Sequence, residues 1–422
     1  MNAVTRLALV LLLSVSVPSA GSMSATPSRS SARRRTVDGA RRPIVIGYAH
    51  EPASGRAERA MRDGADVVIW SFLHFDLAPG GGEGGGVGGG GRGRIRTGLD
   101  LSEIRRLRDM FQDVVFMAAF GGWNGPHPPN QLTGKEWCDV FVEFNDGLDG
   151  IFDGIDFDWE GNDDLSSETA RFTLGTLDVM ADLAVEAKRR GLVVSMAPAE
   201  SYLDAAAGDG SVDAEFSLDL GLPPRAWTTG PDATDEDRRV VADAGFRHAG
   251  RQCYAYVLAR AGVGSFDWIS VQLYEAYSAF VHETARRGRD PVDAIVERVD
   301  RFAGGYTVTN LPLDEAEFVV RVPPSRLVIG IANGWADGTK FCKVEPSTMR
   351  KVYDRTLAKY GEGILGVMFW TIEEEGDNDG SRMTRLLREE FENCKRMDHA
   401  PRKDLARLSH GESDGSVSTR TS

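Results

Sequence analysis

The chain has 422 residues, which is enough for two or three average domains or for one large α/β barrel. Its hydrophobic content of 41% is ordinary for a globular protein with a sizeable core. The formal net charge of −14 argues against nucleic acid or an anionic membrane as a partner and suits a neutral, hydrogen-bonding ligand. We therefore expect no nucleic acid and no membrane among its partners, and we expect a monomer.

The first 20 residues have the features of a secretory signal peptide. Arg6 is followed by an apolar run, Leu7 to Val17, and then by small residues, Ser19 to Gly21. The run is too short to span a membrane. A buried helix is the alternative, but no periodic pattern follows the run. We predict a signal peptide over residues 1–20, a flexible leader over residues 21–42 and a secreted, extracellular protein.

Short apolar strands alternate with helical patterns along the rest of the chain, which is typical of a parallel sheet built from βα units. Eight candidate strands begin near Pro43, Asp66, Asp113, Phe152, Leu192, Asp267, Arg326 and Ile364. Eight such units predict an α/β protein with a closed (β/α)8 TIM barrel, whose site lies at the carboxyl ends of the strands. We assign residues 43–395 to this barrel. Residues 396–422, polar and rich in serine, are predicted to be a disordered tail.

Two helices are the clearest from their periodicity. One follows the fourth strand, with an apolar face made of Leu174, Leu177, Met180, Leu183 and Ala187. The other lies around Arg385 to Phe391 and closes the last unit.

Three further segments are longer than ordinary connections. Gly80 to Arg94 is nearly all glycine and is predicted to be a flexible insertion after the second strand. Residues 201–265 and 276–324 are long insertions after strands five and six, well placed to form the walls of a cleft.

Four cysteines are present: Cys138, Cys253, Cys342 and Cys394. They fit an oxidising compartment and allow three disulfide pairings, with buried free thiols as the alternative. Their spacing matches no zinc-binding pattern, and we expect neither a metal nor a cofactor.

Residues 152–160, Phe-Asp-Gly-Ile-Asp-Phe-Asp-Trp-Glu, carry the strongest motif. Asp156, Asp158 and Glu160 are two residues apart, so a β-strand points all three toward the same side. The apolar residues between and before them point the other way: Ile155, Phe157 and Trp159. Carboxyl groups crowded on one face suppress one another's ionisation, which is costly unless a site uses it. The motif therefore predicts a site for acid chemistry at the end of the fourth strand.

Asp153 breaks this two-residue spacing. We predict that it is a structural acid at the start of the strand, where Gly154 permits a local kink. A solvated acidic loop is the alternative for the whole segment, but the apolar alternation argues against it.

The segment resembles the catalytic signature of glycoside hydrolase family 18, the chitinases and their relatives. Four further segments resemble strands of that family in the same order: Val114 to Trp123 the third, Val193 to Glu200 the fifth, Trp268 to Glu275 the sixth and Leu365 to Thr371 the eighth. The resemblance covers roughly residues 43 to 395. It implies a TIM barrel that hydrolyses chitin or N-acetylglucosamine oligosaccharides.

The resemblance also implies roles for the acids. Glu160, the last on the strand, would be the general acid. An ordinary retaining mechanism needs a second carboxylate about 5 Å away across the sugar, and a single strand cannot place Asp158 there. Instead the substrate's own 2-acetamido oxygen would attack the anomeric carbon. Asp158 would hold the acetamide N–H, Asp156 would share a proton with Asp158, and Tyr274 would donate to the acetamido oxygen.

Several side chains are predicted to bind the substrate. Trp370 would form the floor under the apolar face of the sugar, with barrel packing as the alternative. Trp123 would stack on a neighbouring sugar, again with packing as the alternative. Tyr48 and Gln272 are hydrogen-bonding members of the pocket by resemblance. Position near strand ends adds two further candidates for the wall of the cleft, Trp335 and Tyr202.

Two residues depart from the family pattern. Ala119 stands where the family commonly has a serine that hydrogen-bonds the inner aspartate, and Glu275 stands where asparagine or aspartate usually follows the tyrosine. Losing one hydroxyl partner costs on the order of 1 kcal/mol of organisation, too little to abolish catalysis.

Three functions remain open. The first is a secreted chitinase that cleaves β-1,4 bonds between N-acetylglucosamine units. The second is a non-catalytic chitin-binding lectin, against which the presence of Glu160 argues. The third is an endo-β-N-acetylglucosaminidase acting on glycoprotein glycans, although Trp159 and the Met-Ala-Pro turn are more typical of chitinases.

Overall fold

The computed structural model describes residues 42–78, 92–123, 125–160, 172–205, 214–221, 233–242, 249–275, 278–336, 338, 341–377 and 380–392. The predicted signal peptide, the predicted tail and all of the predicted leader except Arg42 lie outside these ranges. So do Cys394 and most of the glycine-rich insertion. The boundaries proposed for the leader and the tail therefore stay predictions.

Eight parallel strands form a closed barrel: β1 (Ile44–Ala49), β2 (Val67–Leu77), β3 (Val115–Gly121), β4 (Gly154–Asp158), β5 (Val193–Met196), β6 (Trp268–Gln272), β7 (Leu327–Ala332) and β8 (Gly366–Trp370). Each strand pairs with its neighbours in sequence. The barrel closes because β1 pairs with both β2 and β8. Every predicted strand is present and begins within two residues of its expected start, so the predicted (β/α)8 barrel is confirmed.

One major helix follows each strand: α1 (Arg56–Asp63), α2 (Leu101–Met110), α3 (Gly134–Asp146), α4 (Leu174–Arg189), α5 (Cys253–Ala261), α6 (Pro291–Gly304), α7 (Pro346–Tyr360) and α8 (Met383–Glu392). The helix predicted around Arg385 to Phe391 is α8. Four of the five residues predicted for the buried face of α4 are buried, but Leu174 is 36% exposed. Leu174 is the first residue of α4, one turn before the first of these buried positions, Leu177. Within the described residues no helix is long and apolar enough to cross a membrane.

Two apolar layers result from the alternation along the strands. Ile155, Phe157 and Trp159 belong to the layer between the barrel and its helices. The opposite face of each strand fills the barrel interior. The alternation of β4 therefore directs its acids to one side, as predicted, and that side is the barrel interior. Gly154 allows β4 to lie close to β5, since a Cβ atom there would meet the Val193 carbonyl oxygen at 1.9 Å.

The insertions after β5 and β6 are long, as predicted, and we refer to them as the first and second excursions. The first contains a 3-10 turn, Glu200–Leu203, a helix, Asp235–Ala242, and two short antiparallel strands, Ser217–Gly221 and Ala249–Arg251. The second contains helical turns, Ala279–Val281 and His282–Arg286, then α6 and a hairpin of Tyr306–Val308 with Phe318–Val320.

A buried carboxylate links these two excursions. Asp237 lies in the first, and it contacts His282 at 3.1 Å, Arg286 at 3.2 Å and Arg287 at 2.9 Å in the second. The two excursions are therefore tied together by charge as well as by packing.

The glycine-rich insertion ends earlier than predicted. Residues Gly93–Thr97 form a strand that pairs antiparallel with the outer part of β2. Arg94 and Arg96 on this strand both bind the Asp76 carboxylate of β2, at 2.6 and 2.8 Å. The last two residues of the predicted insertion thus belong to a strand, which β2 supports because it extends beyond the barrel.

The three described cysteines, Cys138, Cys253 and Cys342, are buried and free. Each of the three pairings possible for four cysteines would join two of these residues. A framework of two disulfides is therefore wrong, and the alternative of buried free thiols holds for this part of the chain.

Candidate active site

Asp153 lies at the amino end of β4, away from the other acids. Its carboxylate accepts hydrogen bonds from the Arg108 guanidinium at 2.5 Å and from the Phe116 backbone N–H at 2.9 Å. These contacts tie α2 and β3 to the start of β4. These contacts support the structural role of Asp153, which stays a prediction.

Asp156 is the innermost acid of the barrel. The Tyr48 hydroxyl lies 2.5 Å from Oδ2, and the Ser195 hydroxyl lies 2.5 Å from Oδ1. Complete burial raises the pKa of Asp156 to about 6, although both hydroxyls act to lower it. Burial and the nearby charges of Asp156 and Asp158 hold the pKa of Tyr48 well above its ordinary range, so this hydroxyl keeps its proton.

Asp158 lies two residues nearer the carboxyl end of β4. The Gln272 side-chain amide donates to Asp158 Oδ1 at 2.8 Å and to the Ala197 carbonyl at 2.6 Å. Both amide hydrogens of Gln272 are thus engaged with the protein. Gln272 and Tyr48 were predicted to bind the sugar, and the structure places them as buried partners of the two aspartates. A contact with substrate stays a prediction for both.

Glu160, Tyr274 and Glu275 follow the ends of β4 and β6, and all three are buried. The pKa of Tyr274 is raised well above its ordinary value, first by burial and then by the charges of Glu275, Asp158 and Glu160. The charges of all three carboxylates act on Tyr274, so the four side chains lie close to one another. The predicted catalytic residues are therefore gathered in one place, and the Tyr274 hydroxyl among them keeps its proton.

Trp370 is half-buried at the end of β8, among other rings. Its ring centroid is 5.5 Å from that of Tyr48, 5.8 Å from that of Phe72 and 6.0 Å from that of His50. The Trp335 indole N–H donates to the Trp370 carbonyl at 2.6 Å. Phe72 and His50 were not predicted from the sequence, although each lies on or just after a strand that ends at this side of the barrel.

The remaining aromatic candidates divide into two groups. Trp123, just after β3, is 40% exposed, and Trp335 is half-buried with its ring centroid 6.2 Å from that of Tyr274 and the two rings nearly perpendicular. Tyr202 is fully buried and stacks on Tyr254 at 6.2 Å, so it does not line a cleft. Its predicted place in the wall is wrong because the 3-10 turn after β5 directs the ring into the core.

Among the described residues, no group of three or more His, Cys, Asp and Glu side chains has the geometry to hold a metal ion. The chemistry that this cluster can perform on its own is proton transfer and charge stabilisation. Its innermost acids are the buried pair Asp156 and Asp158, and Glu160 lies after them at the end of the motif.

No protein-family model matches the chain, and no curated protein matches it. Solved structures that match the chain include a GH18 chitinase from Pseudoalteromonas aurantia, at 13% identity over 82% of this chain and 99% of that chain, with a TM-score of 0.47. Concanavalin B is 16% identical over 82% and 98% of the two chains, with a TM-score of 0.43. A GH18 chitinase from the chitin utilization locus of Flavobacterium johnsoniae is 12% identical over 83% and 94%, with a TM-score of 0.42.

Proposed function

We propose that this chain is a secreted chitinase of glycoside hydrolase family 18, which cleaves β-1,4 bonds between N-acetylglucosamine units with retention of configuration. The observation that supports it most is the set of contacts around Asp156 and Asp158. Two hydroxyls and one amide hold this buried pair, and Tyr274 and Glu160 adjoin it. The proposal of secretion rests on the pattern of residues 1–20.

Glu160 is the proposed general acid. Hydrolysis of a glycosidic bond needs a proton on the leaving oxygen as the bond breaks. Glu160 is buried and, like Glu275 and Asp158, lies close enough to Tyr274 for its charge to act on that hydroxyl. The same group then takes a proton from the water that completes the reaction.

The proposed nucleophile belongs to the substrate. Its 2-acetamido oxygen attacks the anomeric carbon, a variant of retaining hydrolysis that needs no second carboxylate across the sugar. Asp158, oriented by Gln272, accepts the acetamide N–H and stabilises the oxazolinium charge. Asp156 holds a proton in common with Asp158. Tyr274, whose raised pKa keeps its hydrogen in place, donates to the acetamido oxygen.

Aromatic rings complete the proposed sugar site. Trp370 would pack under the apolar face of the sugar whose bond is cleaved, held by its contacts with other rings and by Trp335. Trp123, which is exposed next to the end of β3, would stack on the neighbouring sugar.

Product analysis by mass tests the proposal. The mature protein is incubated separately with N-acetylglucosamine oligomers and with a high-mannose glycoprotein. We expect shortened oligomers and an unchanged glycoprotein. Release of glycans from the glycoprotein alone would instead identify an endo-β-N-acetylglucosaminidase, and binding of oligomers without any cleavage would identify a lectin.

Substrate assistance has its own test. Oligomers of deacetylated glucosamine or of glucose lack the internal nucleophile, so we expect no cleavage of either. A thiazoline mimic of the oxazolinium intermediate should inhibit competitively. Efficient cleavage of glucose oligomers would contradict this mechanism.

A further inference from the structure

The backbone around Glu160 is held on both sides by side chains from distant parts of the chain. The Tyr254 hydroxyl of α5 donates to the carbonyl oxygen of Trp159 at 2.8 Å. The Nε2 atom of His127, in the segment between β3 and α3, lies 2.7 Å from the carbonyl oxygen of Glu160. A carbonyl can only accept, so His127 Nε2 carries the hydrogen of this bond.

These bonds arise where the strand leaves the barrel. The Asp158 carbonyl still has a backbone donor, the Gly122 N–H at 2.7 Å. The next two carbonyls lie beyond the ladder, yet Trp159 and Glu160 are buried. Buried carbonyl groups need donors, and here side chains supply them.

Both donors are themselves well held. The His127 ring stacks on Phe172 with centroids 5.0 Å apart and an angle of 14° between the planes. Tyr254 is fully buried and stacks on Tyr202 at 6.2 Å. Neither donor can follow a shift of the backbone without losing a packed ring contact.

We propose that His127 and Tyr254 are positioning residues for the general acid, an inference that rests on the proposed function of Glu160. The two carbonyls belong to the peptide planes directly before and after the Glu160 Cα atom. Holding both planes sets the direction of the Cα–Cβ bond and therefore the place of the carboxyl group. A displacement of about 1 Å in a reacting group can cost on the order of 100-fold in rate.

The test uses two substrates with different leaving groups. An N-acetylglucosamine oligomer has a poor leaving group that needs a proton, whereas a 2,4-dinitrophenyl glycoside of the N-acetylglucosamine disaccharide has one that needs none. The parameter is kcat/KM, which reports the steps up to departure of the leaving group. For His127→Phe and Tyr254→Phe, which keep a ring but lose the donor, we expect a fall of about 10- to 100-fold on the oligomer. On the dinitrophenyl glycoside we expect a change of less than about 3-fold.

The conservative variant His127→Gln places an amide N–H near the position of Nε2, and it should recover most of the activity on the oligomer. Equal losses on both substrates, or no loss on the oligomer, would show that the two residues have only structural roles. Tyr254→Phe removes a single oxygen atom and carries the test alone if His127→Phe does not fold. A wild-type protein that cleaves neither substrate would overturn the proposed function, whereas an active wild type with unaffected variants overturns this inference alone.

Discussion

Ser195 lies directly opposite Asp156 in the register of β4 and β5, with its hydroxyl 2.5 Å from Asp156 Oδ1. Ala119 is opposite the same aspartate on the other side, in β3. The hydroxyl that the family resemblance led us to expect from position 119 is thus provided from the neighbouring strand. The absence of a serine at 119 does not leave the inner aspartate without a hydroxyl partner.

This arrangement predicts opposite shifts of the pH–rate profile for two substitutions. The Ser195 hydroxyl lowers the pKa of Asp156, so Ser195→Ala should raise that pKa further above about 6. The lower limb of kcat/KM against pH, which reports the ionised form of the aspartate pair, should then move to higher pH by roughly half a unit to one unit. Asp156 already has the hydroxyls of Tyr48 and Ser195 as partners. Ala119→Ser adds a third hydroxyl from the opposite strand and should move the limb to lower pH.

Ser270→Ala is the matched control, because Ser270 is a buried barrel serine on β6 that no hydrogen bond joins to Asp156. It should leave the lower limb in place. If the limb stays fixed in the Ser195→Ala variant, the Asp156 carboxyl does not govern it.

Asp156 should also affect stability, with a sign that follows from its pKa. Burial raises this pKa from 3.8 to about 6 in the folded protein, so the native state binds the proton more tightly than the unfolded state. The resulting contribution to the free energy of unfolding is fully present below about pH 4 and is lost as pH rises through 6. Asp156→Asn removes the titration. The free energy of unfolding of the variant, relative to wild type, should therefore rise by up to about 3 kcal/mol between pH 4 and pH 8.

Urea unfolding at the two pH values measures this difference. Asp113→Asn, at an exposed position before β3, is the control, and its free energy of unfolding should differ from that of wild type by nearly the same amount at both pH values. A constant difference between the Asp156→Asn variant and wild type at both values would mean that Asp156 titrates normally in the folded protein.

Glu160→Gln should keep the fold and the affinity for sugar but lose nearly all turnover. The amide has the shape of the acid without a transferable proton, and general acid catalysis is worth about 100- to 10,000-fold. We expect kcat to fall by at least about 100-fold, and we expect calorimetry to show unchanged binding of an N-acetylglucosamine oligomer. Glu143→Gln, on the exposed side of α3, is the control and should retain full activity. Near-normal hydrolysis by Glu160→Gln would remove this residue from the mechanism.

A buried ion pair anchors the second excursion to the end of β5. Arg298 of α6 contacts Glu200 at 2.5 Å, and the Phe280 backbone N–H donates to the same carboxylate at 2.8 Å. Arg298→Met would leave Glu200 buried without its cation, which should lower the free energy of unfolding by about 3–5 kcal/mol. Adding Glu200→Gln should restore much of the loss. Arg301→Met, on the same helix but partly exposed, should cost less than about 1 kcal/mol.

Urea unfolding of all four proteins gives these values. Similar losses for the Arg298 and Arg301 variants would show that burial adds nothing to the pair.

The parts of the site that follow from periodicity were predictable from the sequence. The two-residue spacing of Asp156, Asp158 and Glu160 determines their common side as soon as the segment is a strand. Ser195, His127 and Tyr254 were missed as partners of this strand because their contacts depend on register and on the course of connecting segments. Neither the register of a strand nor the course of a connecting segment produces a periodic pattern of residues in the sequence.

Trp335 and Tyr202 illustrate the same limit. Both follow strand ends, yet Trp335 lies beside Tyr274 and Tyr202 packs in the core. Position after a strand indicates which end of the barrel a residue occupies. It does not indicate whether the side chain turns inward, since that depends on the turn that follows.

The buried thiols of this protein can be used to measure local opening of the native state. Burial raises the pKa of Cys138 to about 11 and that of Cys253 still further, so these sulfurs are both shielded and protonated. Cys138 lies in α3, Cys253 begins α5 and Cys342 lies between β7 and α7. Cys138 and Cys253 have no exposed surface, whereas Cys342 is 8% exposed. A thiol reagent can reach the first two only when that part of the barrel opens, so their labelling rates compare the local stability of two separate βα units.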